Sequence, residues 1–214
     1  MGGWEKVVHS LAGKCGVIMA EAQAKKYNSR HHTFLNKRFD RTDNGERIHF
    51  ASAMTLLGYN DGTDHKDGVS YLELAGFITR YGAQSRKDLH QLWRRIVFYI
   101  CISNTDDHLR NHGFILRDKG WVLSPAYDLN PEPYRKGLTL NISETDNSQS
   151  LDLAREVAKV FQLDGVEAEG IIKEVIAGVK SWKDEAKVLK ISKEEIDMME
   201  GAFISDNPAS LETF

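Results

Sequence analysis

Apolar residues recur at intervals of three and four along much of the chain, which is the spacing of an amphipathic helix. The strongest pattern is carried by Leu89, Leu92, Trp93, Ile96, Val97, Ile100 and Cys101. It predicts a long helix at the centre of the core, ending near Ser103. Weaker patterns of the same period predict further helices over residues 4–15, 51–57, 71–78, 151–161, 166–189 and 192–204.

Short extended segments separated by polar turns predict two β-hairpins. The first joins residues 17–27 to residues 34–39, and the second joins residues 114–116 to residues 121–123. The sequence therefore predicts a mainly α fold with two small β-hairpins and with helices at both ends. Residues 206–214 follow the last helical pattern, and we expect them to form a frayed tail.

The composition is that of a folded globular protein without a strong charge bias. Of 214 residues, 41% are hydrophobic and 28% are charged, which excludes collagen-like and wholly disordered chains. The chain has 28 Lys and Arg against 31 Asp and Glu, a net charge of −3. It lacks the polycationic character that binds nucleic acid or anionic membranes, so we expect neither as a direct partner.

Cys15 and Cys101 are the only cysteines, and they lie far apart in the sequence. A disulfide-stabilised secreted domain or a zinc site would need more ligands at close spacing. Two buried free thiols are typical of the reducing cytosol, which predicts a cytoplasmic protein. No stretch reaches the roughly 18 consecutive apolar residues of a membrane span.

The polar segment 104–112 directly follows the most apolar helix and contains the densest chemistry in the chain. It holds two carboxylates, two imidazoles, a guanidinium group and amide side chains in nine residues. Taken alone, such a cluster is equally well interpreted as a solvated turn. The second predicted hairpin changes this, because it leads to Asp128 and a hairpin returns close to where it begins. We therefore expect Asp128 to lie near Asp106 and Asn111.

Asp106 and Asn111 are five residues apart, and protein kinases space their catalytic Asp and metal-binding Asn in the same way. In phosphoryl transfer one carboxylate accepts the proton of the attacking hydroxyl, and oxygen ligands hold Mg²⁺ against the triphosphate. The pattern predicts Asp106 as the catalytic base and Asn111 and Asp128 as metal ligands. The implied cofactors are ATP and Mg²⁺.

Two segments, TDDHLRNHGF at 105–114 and LSPAYDL at 123–129, together resemble the HipA-like serine/threonine kinases, the toxins of bacterial type II toxin–antitoxin systems. The segment KRFDR at 37–41 resembles the hinge between the two lobes of that family. The resemblance covers roughly residues 4–205 and implies a protein-kinase-like C-terminal lobe of the HipA type.

The resemblance also implies how a nucleotide would be held. Lys37 and Phe39 would face adenine through their backbone. Asp40 would approach the ribose, and Tyr127 would lie beside the nucleotide. In this family the kinase acts on protein substrates and is restrained by a DNA-binding antitoxin. The implied partners are therefore a protein substrate and an antitoxin.

The chain departs from the family pattern before the hinge. A kinase of this type needs an N-terminal lobe with a Gly-rich phosphate loop and a phosphate-pairing lysine, and residues 1–36 carry neither pattern. We interpret residues 1–41 as a remnant of the N-terminal lobe with the hinge, and residues 42–205 as the helical C-terminal lobe. The other lobe would be a separate chain, or the chain is truncated or degenerate. We expect no kinase activity from these residues alone.

Two other functions fit parts of the pattern. The first is a non-catalytic protein that keeps the fold and binds a regulator, or binds nucleotide weakly. The second is a metal nuclease of the ββα-metal kind, which Asp107-His108 followed by Asn111-His112 resembles faintly. Such a nuclease places a hairpin before the cluster and a helix after it. Here the order is reversed, so the kinase is the favoured hypothesis.

Overall fold

The computed structural model describes residues 2–28 and 31–203. Its α-helices are α1 (Gly2–Lys14), α2 (Ala53–Leu57), α3 (Tyr71–Tyr81), α4 (Ser85–Ile102), α5 (Leu151–Val157), α6 (Gly165–Val179), α7 (Trp182–Val188) and α8 (Lys193–Met199). Its strands are β1 (Ala22–Lys25), β2 (Thr33–Asn36), β3 (Phe50–Ser52), β4 (Gly113–Arg117) and β5 (Gly120–Leu123). Short 3₁₀ helices span His65–Asp67, Ala158–Phe161 and Glu200–Ala202. The predicted frayed tail, residues 206–214, lies outside the described residues.

Helix α4 forms the centre of the hydrophobic core, as its apolar pattern predicts. Every residue from Arg95 to Ile102 is buried, so this half of the helix is enclosed on all sides. Helices α3, α5 and α6 pack around it. Because the end of α4 is buried, the segment that follows this helix begins inside the core. Among the described residues, no helix is both long enough and apolar enough to cross a membrane.

The strands form two small antiparallel sheets. Strands β1 and β2 make the first predicted hairpin. The second hairpin, β4–β5, has a third strand, because β3 pairs with the other edge of β4 and Phe50 lies opposite Ile115. The predicted fold class, mainly α with two small β-hairpins, is confirmed, and β3 adds a third strand to the second hairpin.

The prediction of one helix over residues 51–57 is wrong at its start. The first residues of that stretch belong to β3, and α2 begins only at Ala53. The Ser52 hydroxyl accepts a hydrogen bond from the N–H of Thr55, which caps α2 at this point. Pairing with β4 is a long-range contact, so a local apolar period could not reveal it.

The first helix packs against the last third of the described chain. The rings of Trp182 and Phe203 stack with centroids 4.4 Å apart, and the Trp4 ring of α1 lies 6.2 Å from each of them. Gly178 of α6 allows a close approach to α1, because a Cβ atom there would lie 2.5 Å from the sulfur of Cys15. The N-terminal helix therefore shares one hydrophobic core with the C-terminal helices.

The stretch 166–189, predicted as one helix, forms α6 and α7. The Ser181 hydroxyl donates to the carbonyl oxygen of Gly178 at 2.9 Å between the two helices, and this break lets the Trp182 ring reach the aromatic cluster. Cys15 and Cys101 are free thiols and both are buried, as the sequence predicts.

The β1–β2 hairpin and the residues before it contact both α1 and the segment that follows β5. In α1, the ring of His9 lies 5.7 Å from the ring of Phe34 in β2. After β5, the N–H of Ala126 donates to Ile18 O at 2.8 Å, and the N–H of Ala20 donates to Ala126 O at 3.1 Å. These contacts bring the predicted hinge close to the segment that follows β5. The division into an N-terminal remnant and a C-terminal lobe stays a prediction.

Candidate active site

The polar segment leaves the end of α4 in a fixed direction. Ser103 takes a left-handed backbone conformation, with φ of 50°, which ends the helix. The N–H of Asn104 then donates to Tyr99 O at 3.0 Å, and Thr105 is buried as well. The loop therefore begins inside the core and reaches the surface at Asp106.

Asp106 and Asn111 lie at the two ends of one tight turn. Asn111 Nδ2 donates to the backbone oxygen of Asp106 at 3.3 Å, and the Asn111 N–H donates to His108 O at 2.8 Å. The Asp106 side chain is 72% exposed, whereas Asn111 is buried. Because the first bond uses the side-chain nitrogen of Asn111, the side-chain oxygen Oδ1 is left to coordinate a cation. The exposed Asp106 carboxylate can accept a proton from an incoming hydroxyl.

The segment after β5 runs along this turn and carries Asp128. The Tyr127 hydroxyl donates to Arg110 O at 2.7 Å. The N–H of Asn130 donates to Asn104 Oδ1 at 3.1 Å, and Asn130 Nδ2 donates to Asp128 Oδ1 at 3.2 Å. The hairpin β4–β5 therefore returns the chain to the loop. It brings the segments with the three predicted catalytic and metal-binding residues to one end of α4.

Asn111 and Asp128 offer the oxygen ligands that Mg²⁺ takes in proteins. Within residues 2–28 and 31–203, no group of three or more His, Cys, Asp and Glu side chains is arranged to hold a metal ion. Mg²⁺ is commonly bound through one or two carboxylates, with waters and substrate phosphates at its other positions. A donor set of one carboxylate and one amide oxygen fits that chemistry.

The predicted hinge segment directly follows β2. The N–H of Lys37 donates to Glu21 O at 2.7 Å. The predicted contact of the Lys37 backbone with adenine would therefore have to use the carbonyl oxygen. The ring centroids of Phe39 and Tyr127 are 5.4 Å apart. Phe39, whose backbone is predicted to face adenine, and Tyr127, which is predicted to lie beside the nucleotide, therefore contact each other through their rings. They link the hinge to the segment that carries Asp128.

A cavity of about 270 Å³ opens beside the hinge. Its walls include Met19, Glu21, Lys37, Phe39 and Pro125. A larger groove of about 490 Å³ lies against the β1–β2 hairpin and is lined by residues 21–23 and 35–37. The smaller cavity is the better candidate for adenine, because it joins the hinge to the segment that leads to the predicted metal ligand.

Two arginines enclose the carboxylate of Asp40. Arg38 Nε and Nη2 donate to its two oxygens at 2.8 and 2.6 Å, and Arg41 Nη1 donates to Oδ2 at 2.6 Å. The hydrogen bonds from Arg38 are the main reason why the pKa of Asp40 lies below its usual 3.8, and the charges of both arginines add to this. The contact of Asp40 with the ribose stays a prediction. In such a contact the ribose hydroxyl and the two arginines would donate to the same carboxylate.

Two charged residues near the site were missed by sequence reasoning. Glu5 of α1 is half-buried, and burial, followed by the negative charge of Asp128, raises its pKa. Arg135 Nη1 lies 3.4 Å from Asp106 Oδ1, with both side chains largely exposed. Glu5 follows a buried tryptophan in an ordinary helical pattern, and Arg135 lies in an irregular segment. Neither position could be located from spacing alone.

Comparisons with known proteins identify relatives of the chain. A family model described as the HipA-like C-terminal domain matches residues 2–183. A Haemophilus influenzae protein named "Putative kinase" is 29% identical over 118 residues, which are 52% of this chain and 34% of the relative. A Sinorhizobium fredii protein named "Putative kinase Y4dM" is 35% identical over 131 residues, 58% of this chain and 31% of the relative. The match spans about a third of the length of these curated relatives.

Two solved structures share the fold at low sequence identity. HipA of Shewanella oneidensis MR-1, from a toxin–antitoxin complex with HipB and operator DNA, aligns with a TM-score of 0.71 and 18% identity. That alignment covers 92% of this chain and 52% of HipA. The Helicobacter pylori proinflammatory kinase CtkA aligns with a TM-score of 0.53 and 12% identity, covering 92% of this chain and 89% of CtkA.

Proposed function

The chain belongs to the family of HipA-like C-terminal domains, and from this premise we propose that it is the metal- and nucleotide-binding lobe of a serine/threonine protein kinase. Completed by an N-terminal lobe, it transfers the γ-phosphate of ATP to a protein hydroxyl. The observation that carries the proposal is the 2.7 Å hydrogen bond from Tyr127 to Arg110 O. This bond holds the Asp128 segment against the turn of Asp106 and Asn111.

In this function the exposed carboxylate of Asp106 orients the attacking hydroxyl and accepts its proton. Asn111 and Asp128 supply the oxygen ligands for Mg²⁺, which offsets the charge of the phosphates when it is bound. The hydrogen bond from Asn130 Nδ2 fixes one oxygen of Asp128 and leaves the other for the metal.

The hinge residues bind the nucleoside in this proposal. The backbone of Lys37 and Phe39 faces adenine, Tyr127 borders the nucleotide, and the carboxylate of Asp40 approaches the ribose. The 270 Å³ cavity between the hinge and Pro125 supports this arrangement.

The γ-phosphate also needs cationic and backbone donors above it, and residues 1–36 contain no Gly-rich phosphate loop. Positioning and charge stabilisation carry most of the catalysis in phosphoryl transfer. We therefore propose that these 214 residues alone do not transfer phosphate. The missing donors come from the rest of a longer protein or from a separate chain.

The partners follow from the same family. Because HipA of Shewanella oneidensis was solved with HipB and operator DNA, we propose a toxin–antitoxin setting with a protein antitoxin as the partner of this chain. In this proposal the antitoxin contacts the DNA, because the net charge of −3 on this chain provides no general attraction for nucleic acid. The two free, buried thiols support a cytoplasmic location.

Metal binding gives the first test of the proposal. At about 100 times its Kd, Mn²⁺ stabilises a one-site protein by about 2.7 kcal/mol, which should raise the melting temperature of the wild type by several degrees. Asp128→Asn should lose most of this shift. Asp118→Asn, in the exposed turn between β4 and β5, is the matched control and should keep it. Equal shifts in the two variants would contradict a metal site at Asp128.

Transfer of labelled phosphate from ATP gives the second test and separates the kinase from the non-catalytic alternative. The chain alone should show no transfer, and a complementary N-terminal lobe should restore it. Asp106→Ala should abolish the restored transfer and leave the melting temperature nearly unchanged, because the Asp106 side chain is largely exposed. A chain that binds Mn²⁺ and nucleotide yet stays inactive with every complementary lobe would support the binding protein instead.

A further inference from the structure

A buried polar cluster lies directly beneath the turn that carries Asp106 and Asn111. His112 Nε2 lies 2.6 Å from Asp107 Oδ2, and neither side chain has any exposed surface. The hydroxyl of Tyr71 donates to the same Asp107 oxygen at 2.7 Å. These three side chains, Asp107, His112 and Tyr71, are called the buried cluster below.

Two residues of the buried cluster are sequence neighbours of the two proposed functional residues. Asp107 directly follows Asp106, and His112 directly follows Asn111. In each pair the first residue belongs to the candidate site, whereas the second points into the core. The single contact between Asp107 and His112 therefore closes the turn at both ends and fixes the path of the residues between them.

Tyr71 connects this closure to the rest of the lobe. It is the first residue of α3, and its N–H donates to Asn141 O at 2.9 Å. A second hydrogen bond joins this segment to the turn itself, because the Thr139 hydroxyl donates to Thr105 O at 2.7 Å. The turn is therefore held from below by α3 and by residues 139–141.

Because the contact between Asp107 and His112 is buried, it holds the turn firmly. A buried polar atom that loses its partner is left without a hydrogen bond from water, so a buried contact resists displacement more than an exposed one does. The buried guanidinium of Arg95 is also close to Asp107. Burial lowers the pKa of Arg95, and the negative charge of Asp107 is among those that oppose this shift. Groups from the turn, α3 and α4 thus all act on the Asp107 carboxylate.

We propose that Asp107, His112 and Tyr71 are positioning residues that set the distance between Asp106 and Asn111 and thereby the geometry of the metal and phosphate site. The inference rests on the proposed function, in which Asn111 holds Mg²⁺ and Asp106 accepts the proton. The buried cluster acts through its neighbours in the chain and does not itself contact substrate.

Two tyrosines provide a matched pair of variants for the test. Tyr71 and Tyr99 are both fully buried, and their ring centroids lie 5.7 and 6.2 Å from that of His112. The hydroxyl of Tyr71 donates to Asp107, whereas the hydroxyl of Tyr99 has no hydrogen-bond partner among the described residues. Tyr71→Phe and Tyr99→Phe each remove one hydroxyl and no charge, so any change in metal affinity cannot come from a lost negative charge.

Both measurements are made on the full chain. The Mn²⁺ affinity, from a titration followed by electron paramagnetic resonance, should fall about tenfold in Tyr71→Phe and by less than about twofold in Tyr99→Phe. Hydrogen exchange of residues 104–112, followed by mass spectrometry well below each melting temperature, should become faster in Tyr71→Phe only. Asp107→Asn keeps the size of the side chain but replaces an acceptor oxygen with a donor and removes the negative charge, so hydrogen exchange, which should become faster still, is its deciding readout.

Equal exchange in the two tyrosine variants would overturn the positioning role, whatever the metal affinities are. Faster exchange in Tyr71→Phe with an unchanged Mn²⁺ affinity would overturn it as well, because the turn would then loosen without disturbing the metal ligands. A wild-type chain that does not bind Mn²⁺ would contradict the proposed function instead. In that case the exchange of the tyrosine pair still decides whether the buried cluster positions the turn.

Discussion

The turn of the candidate site and the hinge each hold a carboxylate against a basic side chain, at similar distances but in different surroundings. Asp107 Oδ2 lies 2.6 Å from His112 Nε2 with both side chains fully buried. Asp40 Oδ2 lies 2.6 Å from Arg38 Nη2, where the Asp40 side chain is 14% exposed and the Arg38 side chain is 67% exposed. A partner lost in the core leaves an unpaired polar group, whereas water replaces a partner lost at the surface. The core contact therefore holds the turn more firmly than the partly exposed contact holds the hinge.

The largest expected effect comes from breaking the core contact. Asp107→Ala leaves His112 and Tyr71 without a buried partner and should lower the free energy of unfolding by about 3–5 kcal/mol. Urea denaturation followed by circular dichroism measures this loss. Asp118→Ala, at an exposed turn, should stay within about 0.5 kcal/mol of the wild type. Similar losses in the two variants would contradict the distinction between buried and exposed carboxylates.

A smaller effect is expected where the hinge side is attached to the lobe through α1. In Gly178→Ala the new methyl group would meet the sulfur of Cys15, and overpacking of this kind costs about 1–3 kcal/mol. Gly170→Ala lies in the same helix with no neighbouring atom within 4 Å, and it should stabilise α6 by up to about 1 kcal/mol. Urea titrations of the two variants should therefore shift in opposite directions. Shifts in the same direction would mean that α1 and α6 are not closely packed at Gly178.

The smallest effect is expected at the hinge itself. Asp40→Asn removes ion pairs with Arg38, which is largely exposed, and Arg41, which is partly buried, and should cost about 1 kcal/mol or less at pH 7, with a smaller cost at high salt. The pKa of Asp40 is lowered in the folded protein, so this contribution is present above pH 3.8 and is lost as the pH falls through the lowered pKa. A carboxyl ¹³C titration by nuclear magnetic resonance should give a midpoint below 3.8. A midpoint at or above that value would show that the arginines do not hold the carboxylate.

The elements that the sequence predicts best are those with a local cause. The apolar period of α4 predicts its burial, and the turn signals predict both hairpins. Strand β3 could not be predicted in this way, since its pairing with β4 joins residues about 60 positions apart. The break between α6 and α7 likewise depends on where the Trp182 ring finds aromatic partners, and that is a property of the tertiary structure.

The candidate site shows the same limit. Spacing and a hairpin argument were enough to predict that Asp106, Asn111 and Asp128 belong to segments at one end of α4. The roles of these three residues stay predictions. The contact of Asp107 with His112 was hidden, because a run of polar residues is typical of a solvated turn, whereas the structure buries six of the nine residues 104–112. Arg135 was hidden for the opposite reason, since an exposed arginine in an irregular segment has no pattern at all.

The aromatic cluster of Trp4, Trp182 and Phe203 has a consequence for synthesis on the ribosome. Helix α1 is made before the rings that cover Trp4, because Trp182 and Phe203 lie about 180 and 200 positions further along the chain. The Trp4 ring therefore lacks its aromatic partners until these residues have been made, at about 5–20 residues per second. During that interval the nascent chain presents a surface suited to chaperones. The lobe can close only when its last helices have emerged.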